Sequence, residues 1–306
     1  MSSGWKTKNR GKLITYIHHA DIGHFDRIPL YLWRRFSRIF PIYWVYLILS
    51  ILVISLGRLA TGKRVGFDIG LSDIAGTVFL VIGAGDPKYV GVAWTLQFEV
   101  LFYLAFCLML ISSRVGAVAF CAWGLFVIGH AYGITNISLP LNLGDAHCLQ
   151  FLFGVAVGIC VRRYRLKLPK TTLIAVLLLF LVAVIFEVYG PFGRHSVEGR
   201  IALGLASGAV IAILAFLEID NAIRTPEWLV RIGSVSYSIY LGHFLFISLT
   251  YSVLLKQGVF HTLPEAFVLA SAIGVAILIN FAIGMFVELP LVRVLKGLFS
   301  SIDQAR

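Results

Sequence analysis

Charged side chains are scarce in this chain of 306 residues, at 13% of the sequence against 59% hydrophobic residues. The mean hydropathy is +0.89 and the apolar residues form long runs, which excludes a soluble globular domain. Acidic residues are fewer than basic ones, 15 against 26, so the formal net charge is +11. In a membrane protein such an excess is typical of cytoplasmic loops near anionic headgroups. No basic stretch is interleaved with aromatic residues in a soluble segment, so nucleic acid is not an expected partner.

Cysteine is also scarce, and its placement excludes two further kinds of site. No two of the cysteines are closely spaced, and all lie in or beside apolar stretches. They are Cys107, Cys121, Cys148 and Cys160. Neither a disulfide framework nor a metal site is expected, and no resident cofactor is predicted. Residues 1–12 are polar and basic and lack the apolar core of a signal peptide.

The long apolar runs predict membrane-spanning helices, each of which needs about 17–25 mostly apolar residues. Eight candidate spans are 39–57, 92–111, 115–133, 146–161, 172–189, 200–217, 235–255 and 265–287. A short run at 74–84 is interpreted as a re-entrant or interfacial segment, or as a tilted ninth span. Because backbone groups in lipid must be satisfied internally, the predicted fold is all-α, a polytopic transmembrane helical bundle.

The sequence predicts one membrane domain with short polar segments at its two ends. The predicted boundaries are a polar N-terminal segment at 1–29, a membrane domain at 30–296 and a short cytoplasmic tail at 297–306. No internal repeat is visible. Paired broken helices in two matching halves, which would favour a transporter, are therefore not found.

The distribution of basic residues predicts the orientation of the chain. If 74–84 does not cross the membrane, the basic segment 162–167 lies on the same side as the arginines of 34–38. The segment 134–146, which has no Lys or Arg, lies on the opposite side. The positive-inside rule then places both termini in the cytoplasm. If 74–84 does cross, every later loop changes side; we favour the first arrangement.

One acidic and one basic residue lie well away from the ends of predicted spans, where such residues are costly to insert and usually face a bundle interior or a wet cavity. The first is Glu99, which shares a helical stripe with Thr95 and Tyr103. The second is His243, whose spacing from Ser236 and Tyr240 places all three on one face. Each has two readings: an interhelical hydrogen bond, or chemistry, with Glu99 as an acid or orienting carboxylate and His243 as a general base.

Two other polar segments lie at the ends of spans. Arg35 and Arg38 precede the first span, where they are read either as a topology anchor at the headgroups or as a cradle for a phosphorylated ligand. Glu288 lies just before Pro290 near the end of the last span. Because proline interrupts helices, this pair is interpreted as a boundary device.

Taken in order, five segments resemble motifs of the acyltransferase-3 family of bacterial integral-membrane O-acyltransferases. The first pattern is Leu-x-Arg-Arg-x-x-Arg-Ile-x-Pro-x-Tyr, and the others are Trp-x-Leu-x-x-Glu-x-x-Phe-Tyr, Phe-Leu-x-Gly, Gly-x-x-Ser-Tyr-Ser-x-Tyr-Leu-x-His and Glu-x-Pro. They lie at 31–43, 93–103, 150–158, 232–243 and 286–290.

The resemblance implies transfer of an acyl group, acetyl by expectation, from acyl-CoA to a hydroxyl of a glycan or lipid-linked sugar at the bacterial inner membrane. Acyl-CoA is then a co-substrate, and the lipid bilayer is the surrounding partner. On this reading His243 and Glu99 are catalytic. The residues expected to bind substrate or acyl-CoA are Arg35, Arg38, Trp94, Tyr103, Ser236 and Tyr240. The rival interpretations are a transporter or flippase of polar lipid or sugar precursors, and an inactive remnant.

One departure from the family pattern affects the expected activity. Relatives usually begin with two further spans, the first of which carries an Arg and, about ten residues later, a His regarded as the central catalytic residue. Residues 11–23 resemble the end of the second span and the loop after it, and His18, His19 and His24 do not lie at the position of that His. The chain is therefore expected to be an N-terminally shortened member that is weak or inactive in acyl transfer. In a full-length member, Glu99 and His243 would then orient or bind substrate.

Cysteine labelling from outside intact cells tests the predicted orientation. In a variant without the four native cysteines, a cysteine introduced at position 142 should be labelled, whereas one at position 165 should be protected. The reason is that Lys- and Arg-rich loops are retained in the cytoplasm. Labelling at 165 but not at 142 would reverse the orientation and make 74–84 a true span.

Overall fold

The computed structural model describes residues 22–62, 64, 70–81, 87–135, 137, 143–190, 196–257 and 263–304, and within these ranges every regular element is a helix. A 3₁₀ turn at Phe25–Arg27 leads into the first α-helix. The α-helices are α1 Ile28–Ala60, α2 Leu71–Phe79, α3 Ala93–Ile111, α4 Ser113–Ala131, α5 His147–Arg163, α6 Thr171–Tyr189, α7 Val197–Ile219, α8 Glu227–Ser234, α9 Ser236–Lys256, α10 Glu265–Ile283 and α11 Leu289–Gln304. A π-helical segment, Gly284–Glu288, joins α10 to α11 without a break.

The helices confirm the predicted all-α transmembrane architecture. Within the described ranges, seven helical stretches are long and apolar enough to cross a membrane. Each coincides with a predicted span, and the remaining predicted span, 146–161, is occupied by α5, a helix of 17 residues. The helix that overlaps the short run 74–84 is α2, which begins at Leu71 and has nine residues. At 1.5 Å per residue it is about 14 Å long, too short for a hydrocarbon core of about 30 Å.

The chain divides into two compact units. One contains Leu104–Thr225 with the segment that ends at Ile28, and the other contains Pro29–Tyr103 and Pro226–Arg306. In the first unit, small residues allow close packing of α7 against α5: a Cβ added at Gly204 would lie 2.9 Å from the Phe153 ring. Such small residues are typical of helix contacts in membranes. Every predicted site residue belongs to the second unit.

In the second unit, α9 packs directly against α10, and a glycine makes the approach possible. A Cβ added at Gly242 would overlap the Asn280 side chain and the Tyr46 ring. At the same place the Tyr46 hydroxyl donates to Asn280 Oδ1 over 2.7 Å, and Asn280 Nδ2 donates to the carbonyl of Ala276 over 2.7 Å. Tyr46 and Asn280 are fully buried, so this hydrogen bond joins α1 to α10 away from water.

Glu288 connects the π-helical segment to the start of α9. Its carboxylate oxygen Oε2 accepts hydrogen bonds from the Ser238 backbone N–H over 3.1 Å and from the Ser238 hydroxyl over 2.6 Å. The Ser238 N–H is in the first turn of α9, where helices have no internal acceptor, and the residue before the helix, Val235, supplies no side-chain cap. The carboxylate therefore caps α9 from another helix, where a negative charge is favourable.

The prediction that Pro290 stops the last helix is wrong. The chain continues from Glu288 into α11 with Pro290 as the second residue of that helix. A π turn offsets the hydrogen-bond register by one residue, which accommodates a residue that has no N–H and whose ring would collide with the preceding turn. Glu288 is 6% exposed, so it is a buried capping group rather than a boundary residue.

The short helix α2 is attached to α1 through its C-terminal carbonyls. The Tyr43 hydroxyl donates to the carbonyl of Thr77, and Trp44 Nε1 donates to the carbonyl of Val78 over 2.8 Å. These bonds satisfy acceptors that the end of a helix leaves open. Near the start of α2, Lys88 Nζ lies 2.7 Å from Asp73 Oδ2, and this hydrogen bond lowers the pKa of Asp73 below its usual value.

A methyl group at position 242 tests the packing of α9 on α10. Gly242→Ala should lower the midpoint of thermal unfolding in detergent, because overpacking a tight core contact costs about 1–3 kcal/mol. The matched control is Gly274→Ala on α10, where an added Cβ meets nothing within 4 Å. That change should be neutral or slightly stabilising, since alanine favours helices over glycine. Equal midpoints for the two variants would contradict the described contact.

Candidate functional site

A buried arginine is the centre of the polar group in the second unit. Arg35 on α1 is 8% exposed. Its guanidinium carbon lies 4.9 Å from the centre of the Tyr103 ring and 5.4 Å from that of Tyr31, within the range of cation–π attraction. Nε and Nη2 of Arg35 are buried and have no hydrogen-bond partner among the described residues. Because an unsatisfied buried charge is costly, the arrangement suits a ligand that brings anionic oxygens.

Glu99 and Tyr103 form the second part of the group. They lie one turn apart on α3, and the Tyr103 hydroxyl donates a hydrogen bond to Glu99 Oε1. Tyr103 is buried and Glu99 is half-buried. Tyr103 therefore contacts the Arg35 cation through its ring and the Glu99 carboxylate through its hydroxyl.

The polar stripe predicted on α3 begins with Thr95, and this residue contacts α9. The hydroxyls of Thr95 and Tyr240 are hydrogen-bonded to each other, which joins α3 to α9. His243 is one turn further along α9. Its Nδ1 lies 2.6 Å from the carbonyl oxygen of Tyr240, and its ring packs against Phe244 with ring centres 4.6 Å apart. When Nδ1 holds the proton, Nε2 remains free to accept one.

The structure brings some of the predicted residues together and leaves others apart. Arg35, Glu99 and Tyr103 form one contact group, and Tyr240 is hydrogen-bonded to Thr95 on the helix that carries Glu99 and Tyr103. The polar contact of His243 is made within its own helix, to the carbonyl of Tyr240.

The remaining predicted residues are all exposed. Arg38 is exposed, and its charge acts on Tyr103 and Glu288. Trp94 is 42% exposed, with its ring edge-on to Phe98. Ser236 is exposed and donates to the carbonyl of Gly233 over 2.9 Å, so it stabilises the turn before α9 rather than contacting the other site residues.

Two tyrosines of this region were not singled out from the sequence. Tyr31 supplies one of the two rings against Arg35. Tyr237 has a hydroxyl that is buried and has no hydrogen-bond partner in the described part of the chain. The Ser-Tyr-Ser run around Tyr237 was a visible signal, but helical spacing pointed to the face that carries Ser236, Tyr240 and His243.

A separate polar cluster in the first unit has a structural explanation. Asp145 Oδ1 accepts from the His147 backbone N–H over 2.8 Å, and it lies 2.7 Å from His147 Nδ1 and 3.5 Å from Arg200 Nη1. Burial raises the pKa of Asp145, but the hydrogen bonds from His147 and the charge of Arg200 outweigh burial and lower it. Asp145 thus stays ionised and satisfies the N-terminus of α5.

The arrangement in the second unit combines the elements that a group-transfer reaction needs. Arg35 offers a buried positive charge with free donors, Glu99 a carboxylate, and His243 an imidazole held by its own helix. Basic, acidic and anion-binding groups in an apolar bundle are the usual content of a functional site in a membrane protein.

Comparison with known proteins adds an independent finding. Residues 16–285 match the family model of the acyltransferase domain called acyltransferase 3. The chain is 28% identical over 271 residues to the exopolysaccharide production protein ExoZ of Rhizobium meliloti (strain 1021), and the match covers 85% of this chain and 80% of that protein. No solved structure matches the chain significantly.

Proposed function

Because the chain belongs to the acyltransferase-3 family of membrane proteins, we propose that it transfers an acyl group, acetyl first of all, from acyl-CoA to a hydroxyl of a glycan. Family membership indicates acyltransferase activity, and the helices make the protein a multi-pass membrane protein. The similarity to an exopolysaccharide production protein supports an exopolysaccharide, or its lipid-linked precursor, as the acceptor. Donor, acceptor and residue roles are parts of the proposal.

The observation that carries the proposal is the buried Arg35 guanidinium, two of whose nitrogen donors have no acceptor within the described ranges. A guanidinium binds phosphate through two parallel hydrogen bonds, and acyl-CoA carries several phosphate groups. Arg38, three residues later on α1, adds a second and exposed positive charge. We assign both arginines to the phosphates of the acyl donor.

Glu99 and His243 are assigned to proton transfer around the reacting thioester. The acceptor hydroxyl oxygen forms a bond to the thioester carbon, and the carbon–sulfur bond breaks. A base removes the acceptor proton, and coenzyme A leaves as a thiolate that is then protonated. Nε2 of His243 is free to be that base when Nδ1 donates to the Tyr240 carbonyl. Glu99, held by Tyr103, is an acid or the carboxylate that orients the base.

Reconstitution tests the reaction and the two catalytic assignments together. The protein in nanodiscs, given acetyl-CoA and an exopolysaccharide or lipid-linked sugar, should add acetyl groups that mass spectrometry detects. Glu99→Gln and His243→Ala should each lower the rate by about 10²–10⁴-fold, the usual contribution of a general acid or base. Glu198→Gln and His130→Ala, in the other unit, are matched controls. Equal losses in all four variants would remove both assignments, and movement of the sugar across a vesicle without acylation would favour a flippase.

Arg35→Gln tests the donor site. It should raise the KM for acyl-CoA by about 10–100-fold with little effect on kcat, because a hydrogen bond to a charged group contributes about 1.5–3 kcal/mol. Arg35→Lys should have a KM for acyl-CoA nearly as high as that of Arg35→Gln, since an ammonium cannot make the paired contact. The control is the neighbouring Arg34→Gln, because Arg34 is exposed. An unchanged KM in Arg35→Gln, with unfolding as in the wild type, would show that Arg35 does not bind the donor.

A further inference from the structure

Tyr237 carries a buried hydroxyl that packing alone does not explain. It is the second residue of α9, and its oxygen is out of contact with solvent and has no partner among the described residues. Leaving such a group unsatisfied costs about 1–3 kcal/mol, whereas phenylalanine has nearly the same shape and no such cost. The hydroxyl therefore fits a ligand atom that accepts a hydrogen bond.

Charged and titratable groups from three other elements act on Tyr237. They are Glu99 and Tyr103 on α3, Glu288 in the π-helical segment and Arg38 on α1. Three of these groups, Glu99, Tyr103 and Glu288, already have hydrogen-bond partners within the protein. Oε1 of Glu99 accepts from Tyr103, and Oε2 of Glu288 accepts from Ser238.

The first turn of α9 holds Tyr237 in place. The next residue, Ser238, is fully buried and is bound through both its backbone N–H and its hydroxyl to Glu288. A donor fixed in this way is oriented before the ligand arrives. Donors of this kind stabilise charge that develops during a reaction because they need no rearrangement.

The charges around Tyr237 indicate which oxygen atom of the acyl donor accepts its hydrogen bond. A phosphate oxygen is anionic at all times, and it is disfavoured at this position because two carboxylates, Glu99 and Glu288, act there against one guanidinium, Arg38. A thioester carbonyl is neutral until the reaction begins. The two arginines that suit phosphate lie on α1. A phenol has an ordinary pKa near 10, so it keeps its proton at neutral pH and acts as a hydrogen-bond donor.

We propose that the Tyr237 hydroxyl donates a hydrogen bond to the carbonyl oxygen of the acyl donor. When the acceptor oxygen adds to the carbonyl carbon, the electron pair of the C=O bond moves to this oxygen, and Tyr237 stabilises the resulting negative charge. The pair returns when the carbon–sulfur bond breaks and coenzyme A leaves as a thiolate. This assignment rests on the proposed acyl transfer.

Removal of the hydroxyl provides the kinetic test. Tyr237→Phe should lower kcat for acetyl transfer by about 10²–10³-fold, the usual effect of losing one such donor, with the KM for acetyl-CoA nearly unchanged. The unfolding midpoint should stay the same or rise, because the variant removes an unsatisfied group. Tyr251→Phe, further along the same helix, should leave kcat unchanged. A Tyr237→Phe variant that keeps the wild-type kcat overturns the assignment.

A binding measurement tests the contact without turnover. Ethyl-CoA is a thioether that lacks the carbonyl oxygen. Wild-type protein should bind acetyl-CoA about two- to tenfold more tightly than ethyl-CoA, the range expected for one hydrogen bond, and Tyr237→Phe should bind both equally. Undiminished discrimination in the variant overturns the assignment while acyl transfer stands. Wild-type protein that neither binds acetyl-CoA nor transfers the acetyl group refutes the proposed function and, with it, the role of Tyr237.

If Tyr237→Phe does not fold, 3,5-difluorotyrosine at position 237 replaces it. This analogue keeps the shape of the side chain but makes the phenol more acidic. Activity should then be lost at a lower pH than in wild-type protein, because the ionised phenol cannot donate. An unshifted pH profile would overturn the assignment.

Discussion

The buried carboxylate of Glu288 is the interaction on which the geometry of the second unit depends. It satisfies the backbone and the hydroxyl of Ser238 at the start of α9, where the chain offers no cap of its own. In a bundle surrounded by lipid no water is available to replace that acceptor. The position of the first turn of α9 therefore depends on the π-helical segment. The direction in which Tyr237 and Tyr240 project depends on it as well.

Most buried polar groups of this unit are satisfied, which makes the exceptions informative. Tyr46 is bound to Asn280, and Asn280 to its own helix, in a contact that Gly242 makes possible. The cost of unmade hydrogen bonds in an apolar interior explains why such groups are paired. Arg35 and Tyr237 are different, because both keep buried donors for which the described part of the chain supplies no acceptor. Groups left incomplete beside such a complete network are best explained by a ligand.

Local patterns made the spans and the stripe on α3 predictable, because hydropathy and a 3.6-residue period act within one helix. The contact of Tyr103 with Glu99 follows from that period alone. The capping of α9 by Glu288 could not be predicted, since the partners are 50 residues apart and a proline nearby suggested a helix end. The same limit applies to Ser236, which the spacing favours, and to Tyr237, which it does not. Spacing identifies which residues share a face, but only the neighbouring helices determine which face is buried.

The two incomplete groups differ in charge, and that difference matches the chemistry of an acyl thioester. A phosphate needs a permanent positive charge, and Arg35 keeps one against two aromatic rings. A carbonyl needs a neutral donor until charge develops, and the charges that act on Tyr237 are two carboxylates against one guanidinium. Tyr103 acts on both groups, since its ring contacts the guanidinium and it is one of the titratable groups that act on Tyr237. Anion binding and carbonyl activation are therefore assigned to separate side chains around one tyrosine, so each can be changed without removing the other.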